Sequence, residues 1–209
     1  MIHFRQMAPA DVPGVVELQR ACFPPPFPEE LLWQAEHIAR HLEIFPEGQF
    51  VALHEGKVIA SASACLISED AWQAHLPWEE TLGGYFFDRF DAQGSTLYGA
   101  DVSVNPEFRG RGVGRGLYQC RYDFVRNSGL LRYGTACRIP DFRGWFGRDS
   151  ASRADLEEYC RLVEMGKLSD RTLSPLLRYC LRREGVIENY IEDIESANAA
   201  CVLVWEPGQ

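Results

Sequence analysis

The chain has 209 residues, a formal net charge of −9 and a sequence pI near 5.1, and this acidity argues against general nucleic-acid binding. Hydrophobic residues make up 46% of it and aromatic residues 12%, enough for a substantial core and too much for global disorder. No apolar run approaches the ~20 residues that cross a membrane, and the first residues lack the pattern of a signal peptide, so we expect a cytosolic protein with a single domain over 1–209.

The first half of the chain predicts one strand, two helices and a hairpin. The elements are a strand at 2–6, a helix that opens at Pro9 or Asp11 and is stopped by the prolines at 24–26, a second helix that begins after Pro28, and two strands between Phe50 and Ile67. Glu55-Gly56 supplies the tight turn between those two strands. The segment 68–94 mixes aromatic residues and glycines and receives no assignment.

The second half predicts strands and helices around a glycine-rich loop. A strand from Ser95 to Val104 ends at Asn105-Pro106, and a helix follows whose Val113, Leu117, Cys120 and Phe124 share one face. Gly129 closes that helix. The remaining elements are a strand at 130–137, an insertion at about 138–169 with a helix at 153–165, a helix from Ser174 to Arg183, and strands at about 185–193 and 199–205. This order predicts an α/β fold with a mixed sheet.

The loop between the predicted strand and helix carries the features of an anion site. Its glycines allow a positive φ and a close approach of the backbone to a ligand. The free N–H groups of the helical first turn, and the helix dipole, favour an anion there. Arg109, Arg111 and Arg115 add charged donors. We interpret the loop as a diphosphate cradle; the alternative is a plain glycine-rich turn with solvated arginines.

Two common phosphate-binding motifs do not fit this loop. A P-loop needs a lysine after its last glycine, and no lysine lies near. The dinucleotide motif G-x-G-x-x-G places Leu117 or Arg115 where its third glycine should stand. The pattern that fits is R-x-x-G-x-G, formed by Arg109, Gly112 and Gly114.

The run VSVNPEFRGRGVGRGL, from Val102 to Leu117, resembles the GNAT N-acetyltransferase superfamily, whose motif [Q/R]-x-x-G-x-[G/A] follows the fourth strand and opens the next helix. The resemblance implies a mixed, mostly antiparallel central sheet flanked by helices. The segment after Cys137, with Arg138-Ile139-Pro140 and the inserted helix, also resembles the acetyltransferase-like module that is sometimes joined to nitrilase-type hydrolases.

Acetyl-CoA is the acyl donor that this resemblance implies. It places the pyrophosphate of CoA on the loop amides and the pantetheine arm along the motif strand, with an amide near Val104 available to the oxyanion. The cofactor-binding residues that it implies here are Val102, Ser103, Val104, Arg109, Gly110, Arg111, Gly112, Val113, Gly114, Arg115 and Gly116.

The catalytic acid and base are less clearly marked in the sequence. An attacking amine must lose a proton, and Asp101, at a strand position where the family often carries an acid, is the candidate base; a purely structural carboxylate is the alternative. The family's acid is often a tyrosine of the last helix. Alignment on Gly185 puts Leu181 at that position, and Tyr179 two residues earlier points elsewhere on the helix. Tyr190 or solvent is then the substitute proton donor.

The acceptor is expected to be a small-molecule amine. Its pocket involves the N-terminal helices, 68–94 and 138–149, and the aromatic residues that either line it or form core are Phe86, Phe87, Phe142, Trp145 and Phe146. Another class of function, an acetyl-CoA-binding sensor or partner module without catalysis, stays open, and a protein-lysine acetyltransferase ranks third. The scattered cysteines and histidines predict no metal site, and a homodimer through the C-terminal strands is a further expectation.

Overall fold

The computed structural model describes residues 1–25, 29–147 and 151–208. Within them seven strands form one sheet in the order β1-β2-β3-β4-β5-β7-β6. The pairing of β4 with β5 is parallel and every other pairing is antiparallel. The strands are β1 (Ile2–Gln6), β2 (Gln49–His54), β3 (Lys57–Ile67), β4 (Thr96–Val104), β5 (Arg132–Arg138), β6 (Arg182–Ile187) and β7 (Ala200–Trp205). The predicted mixed, mostly antiparallel sheet is confirmed.

Helices cover both faces of this sheet. They are α1 (Val12–Cys22), α2 (Ala35–Ile44), α3 (Glu69–Ala74), α4 (Trp78–Leu82), α5 (Val113–Ser128), α6 (Phe142–Phe146), α7 (Arg153–Glu164) and α8 (Leu173–Leu177). Successive side chains of a strand point to opposite faces, and β4 follows this rule. Leu97 packs into the core cluster that contains Val125 of α5, whereas Tyr98 joins the cluster that contains Val15 of α1.

Two predicted helices have different bounds in the structure. The second helix begins at Ala35, after an isolated helical turn at Glu29–Leu31; the prolines at 26 and 28 lie outside the described residues. The last helix is only Leu173–Leu177, and β6 starts at Arg182, inside the predicted helix. Cys180 takes a φ of 68°, which a helix does not accept, and Arg182 pairs with Val204 of β7. Pairing with a distant strand therefore decides where this helix ends.

The unassigned segment 68–94 contains two short helices, α3 and α4. In the predicted insertion, α7 matches the helix predicted at 153–165, and α6 precedes it. Residues 148–150 lie outside the described part. Among the described residues, no helix combines the length and the apolar content that crossing a membrane requires.

The feature of the sheet that positions the candidate site is the separation of β4 from β5. Their pairing runs from Thr96 with Arg132 to Gly99 with Thr135. On the other side of β4, the register against β3 shifts between Ser63 and Ala64, so that Ala100 forms a bulge. Past this bulge the β5-facing edge of 100–104 has no paired strand in the described part of the chain, which leaves backbone groups available to a ligand.

Candidate active site

The loop from β4 to α5 has the backbone geometry that its glycines predict. Asn105 Oδ1 accepts a hydrogen bond from the Glu107 amide at 3.0 Å and starts the loop. Gly110 and Gly112 have φ values of 74° and 79°, the left-handed region that side chains disfavour. A Cβ built on either glycine would have no atom within 4 Å. The backbone at both positions is therefore open to a ligand.

The amides at the start of α5 are free of protein partners. The first helical hydrogen bond runs from the Gly116 amide to the Gly112 carbonyl at 3.0 Å. Across the described ranges, the amides of 110–115 donate to no protein acceptor, and Gly112 as N-cap supplies no side chain. A helix of 16 residues also presents the positive end of its dipole here. These groups together can bind an anion.

The three arginines of the loop point to three different neighbours. Arg109 Nε donates to the Val104 carbonyl at 3.1 Å, at the end of β4. The guanidinium of Arg111 lies 5.3 Å from the ring centroid of Phe108, and that of Arg115 lies 5.7 Å from the ring of Tyr179. None of the three pairs with a carboxylate of the described residues, although the protein is acidic. The positive charge is spread along the loop rather than focused on one point.

Asp101 lies on β4 and faces α1. Its Oδ2 accepts hydrogen bonds from Ser103 Oγ at 3.1 Å and from Gln19 Nε2 at 3.3 Å, and Gln19 also donates to Ser103 at 2.9 Å. Burial raises the pKa of Asp101, and the hydrogen bond from Ser103 opposes that rise. A carboxylate of raised pKa is a stronger base than an ordinary aspartate. The Cys22 thiol lies beside this group, and burial raises its pKa as well.

Comparison with known proteins identifies the family. The model of the acetyltransferase (GNAT) family matches residues 12–143, which include the sheet separation, Asp101 and the whole loop. The chain belongs to the GNAT acetyltransferase family. It is 33% identical over 202 residues to YkwB, an uncharacterized N-acetyltransferase of Bacillus subtilis (strain 168), with 97% of this chain and 87% of that protein covered.

Two further relatives extend the comparison. The chain is 30% identical over 202 residues to YhcX, a probable hydrolase of Bacillus subtilis (strain 168); the match covers 96% of this chain and 38% of that larger protein. Among solved structures, the GNAT-like decarboxylase GphF in complex with isobutyryl-CoA superposes with a TM-score of 0.78, covering 98% of each chain at 22% identity. This last likeness shows the fold.

Two loop residues of this GNAT protein contribute through packing. A Cβ on Gly116 would lie 2.3 Å from the ring of Phe4 on β1, and its amide already closes the first helical turn. The Val113 side chain is buried in a cluster with Phe50 and Leu117. Gly116, predicted to lie beside the cofactor, therefore has an amide with a protein acceptor, and so does Arg109, whose amide donates to the Pro106 carbonyl at 3.3 Å. At position 113 only the backbone amide is open.

Tyr179, which the sequence analysis placed on another side of its helix, lies beside the start of α5 in the structure. Its ring packs against Tyr118, and a Cβ on Gly114 would lie 3.4 Å from its hydroxyl oxygen. The hydroxyl therefore borders the loop at the start of α5. The predicted long helix had turned Tyr179 away, and the early end of α8 brings it here; no local pattern in the sequence signals this position.

Tyr190, the predicted substitute acid, lies in the core on the α1 side of the sheet. It is 5% exposed, and its hydroxyl shares a 3.0 Å hydrogen bond with that of Tyr98. Burial raises its pKa well above the usual value. Among the described contacts, none joins Tyr190 to Asp101 or to the loop. Leu181, which the alignment placed at the family's tyrosine, is also core.

The predicted acceptor residues divide between core and surface. Phe87 stacks on His41 at 3.8 Å and Phe142 is fully buried, so these two are core. Phe86 and Trp145 are 41% and 42% exposed, and Phe146 stacks on Phe142. An aromatic residue that the prediction did not name, Trp78, contacts the bulge: its Nε1 donates to the Ala100 carbonyl at 3.3 Å.

Proposed function

We propose that this GNAT protein transfers an acetyl group from acetyl-CoA to the amine of a small-molecule acceptor. The observation that carries the proposal is the row of backbone amides at 110–115, which donate to no acceptor among the described residues. Such a row at the start of a long helix suits the linked phosphates of CoA. The family membership of the chain supports the same reaction class.

In this proposal the loop and β4 hold the donor. The amides of 110–115 bind the diphosphate, and the side chains of Arg109, Arg111 and Arg115 add charge around it. The open edge of 102–104 pairs with the pantetheine arm, in the way that a peptide adds to a sheet edge. Ser103 contributes its backbone only, because its hydroxyl is already bonded to Asp101 and Gln19.

Asp101 is the proposed base, and a tyrosine is the proposed acid. The Asp101 carboxylate lies one residue beyond the bulge, on the face covered by α1, and accepts the proton that the attacking amine loses. Tyr179 borders the loop through its hydroxyl and becomes the first candidate to protonate the leaving thiolate. Tyr190, buried against Tyr98, stays a predicted alternative.

The test combines binding with product analysis. Calorimetry with acetyl-CoA should show binding to one site per chain, and a panel of small amines should release thiol from acetyl-CoA with formation of the acetylated amine. Absence of acetyl-CoA binding would remove the proposal. Binding without thiol release against any amine would indicate the non-catalytic acetyl-CoA module.

A second candidate function is decarboxylation of a carboxyl-bearing acyl-CoA. The observation that favours it is the overlap with a GNAT-like decarboxylase over 98% of both chains. Malonyl-CoA is a suitable probe, because loss of its carboxylate leaves the thioester intact. Carbon dioxide release without thiol release would support this reaction, and thiol release with an acylated amine would support the transferase.

A further inference from the structure

Arg121, on α5, is a fully buried cation at the point where β4 leaves β5. Its side chain has 0% exposure. Its NH2 group donates to the carbonyls of Ser63 at 2.8 Å and Asp101 at 2.6 Å, and its NH1 group donates to the Tyr133 hydroxyl at 2.8 Å. One side chain therefore links β3, β4 and β5 at the bulge.

The neighbours of Arg121 leave its charge without an anion in contact. It forms no ion pair among the described residues; its guanidinium lies 5.3 Å from the ring of Tyr133 and 5.4 Å from that of Tyr118. Its Nε is buried without a hydrogen-bond partner. A buried charge is costly compared with an apolar side chain of the same size. A fully buried arginine at this position therefore suggests a function beyond packing the core.

By binding the Asp101 carbonyl, Arg121 also affects the Asp101 carboxylate, because one peptide unit connects the two groups. The peptide unit is planar, so the carbonyl held by Arg121 also fixes the direction of the Val102 amide. The Val102 amide in turn lowers the pKa of the Asp101 carboxyl. Arg121 thus acts from the α5 face of the sheet on a carboxylate that lies on the α1 face.

We propose that Arg121 is a positioning residue for the acyl transfer, which holds the Asp101 peptide so that its carboxylate stays in place beside the open edge of β4. This inference rests on the proposed function, in which Asp101 is the base. Gly99 supports the arrangement, because a Cβ there would lie 2.0 Å from the Tyr133 hydroxyl that Arg121 binds.

The charge of Arg121 acts on the same carboxylate. Burial raises the pKa of Asp101, and Ser103 from β4, Arg121 from α5, Gln19 from α1 and the Val102 amide each lower it. The titratable group of α1 that faces Asp101 is Cys22, which stays a neutral thiol because burial raises its pKa. Arg121 is the cation that limits the rise, and its removal should raise the pKa of Asp101 further.

The test compares Arg121→Gln and Arg121→Lys with Arg126→Gln, a matched change on the same helix at an exposed arginine paired with Asp123. Each variant is checked by thermal melting and by acetyl-CoA calorimetry. Turnover is then followed against pH with acetyl-CoA and the panel amine that releases thiol fastest. Carbon-13 NMR titration of the Asp101 carboxyl provides a readout that needs no activity.

Arg121→Gln should raise the pKa of Asp101, and the acidic limb of the rate profile with it, by about one unit. It should lower kcat about tenfold, with the KM for acetyl-CoA within about twofold of the parent. Arg121→Lys should keep the pKa of Asp101 near the parent value, because the charge remains. Its kcat should fall, since an ammonium lacks the planar fork whose two nitrogens hold the two carbonyls and the Tyr133 hydroxyl. Arg126→Gln should match the parent throughout.

Three outcomes would overturn the inference. The first is an unchanged titration of Asp101 and an unchanged rate profile in a folded Arg121→Gln protein. The second is a fall in melting temperature alone, which would show that Arg121 contributes to stability and not to the position of Asp101. The third is failure of both variants to fold, which would make it a folding residue. A parent protein that releases no thiol with any amine would instead remove the proposed function, and the NMR titration would still decide the role of Arg121.

Discussion

Replacing Gly112 by alanine separates the backbone cost of the loop from its proposed part in binding acetyl-CoA. Gly112 and Gly129 cap the two ends of α5 with φ values of 79° and 67°. A Cβ at either position would meet no atom within 4 Å. The two glycines differ in one respect that matters here: Gly112 adjoins the free amides, and Gly129 lies 17 residues away at the other end of the helix.

The stability cost should be the same for Gly112→Ala and Gly129→Ala. A left-handed conformation costs an alanine about 1–2 kcal/mol more than a glycine, and neither site adds a clash. For a chain of this length, each kcal/mol lowers Tm by about 2–4 °C. We therefore expect both variants to melt roughly 2–8 °C below the parent.

Binding of acetyl-CoA should respond only to Gly112→Ala. Outside the adjoining chain, no described protein atom lies within 4 Å of the new methyl group. We expect it to occupy space that the diphosphate needs and to prevent one charged hydrogen bond, worth about 1.5–3 kcal/mol. Since about 1.4 kcal/mol is a factor of ten in Kd, calorimetry should show affinity weaker by about 10- to 100-fold. Gly129→Ala should bind like the parent. Equal affinities for the two variants would refute the assignment of this loop as the diphosphate site.

Three other changes test the base, the insertion and a buried histidine. Asp101→Asn should lower kcat far more than it raises KM. The activity of the parent should rise with pH through the pKa of Asp101, which lies above 3.8 because burial raises it. Equal turnover of variant and parent at every pH would exclude Asp101 as base. Asp170→Ala should lower the free energy of unfolding by about 3 kcal/mol or more, because the Asp170 carboxylate accepts hydrogen bonds from the Tyr159 hydroxyl and the amides of 141, 172 and 173. Chemical denaturation measures this free energy, and a loss under about 1 kcal/mol would contradict the prediction. The parent should lose stability as pH falls from about 6.5 toward 3. Burial lowers the pKa of His41 to about 3, so only the unfolded chain binds the proton in that range. In chemical denaturation at several pH values, His41→Gln should reduce the dependence of stability on pH, and an unchanged dependence would assign it to other groups.

The conformation of the glycine-rich loop could be predicted from neighbouring residues. A run of glycines and arginines between a strand and an amphipathic helix restricts the backbone to a few conformations, and the left-handed φ values of Gly110 and Gly112 follow from that. The hairpin turn at Glu55-Gly56 is of the same kind, with both residues at positive φ. Features that depend on neighbouring residues were therefore open to prediction.

The end of the last helix, α8, could not be predicted from neighbouring residues. Its predicted span from Ser174 to Arg183 has reasonable helical residues, yet β6 begins at Arg182 because β7 offers a hydrogen-bonding edge there. The side chain of Asp170 organises the start of α8 through the amides of 172 and 173. The position of Tyr179 beside Gly114 follows from both contacts, and neither is visible in a short window of sequence.

The amino-acid sequence by itself determined the glycine-rich loop, the strand and helix around it, the order of most elements and the family, because each depends on residues close together in the chain. The tertiary structure alone decided which groups surround Asp101 and which tyrosine borders the loop. Arg121 reaches a carbonyl 58 residues away in sequence, and Gln19 reaches Ser103 across 84 residues. Contacts of that range depend on strand order and on where β4 leaves β5, which only the folded sheet sets.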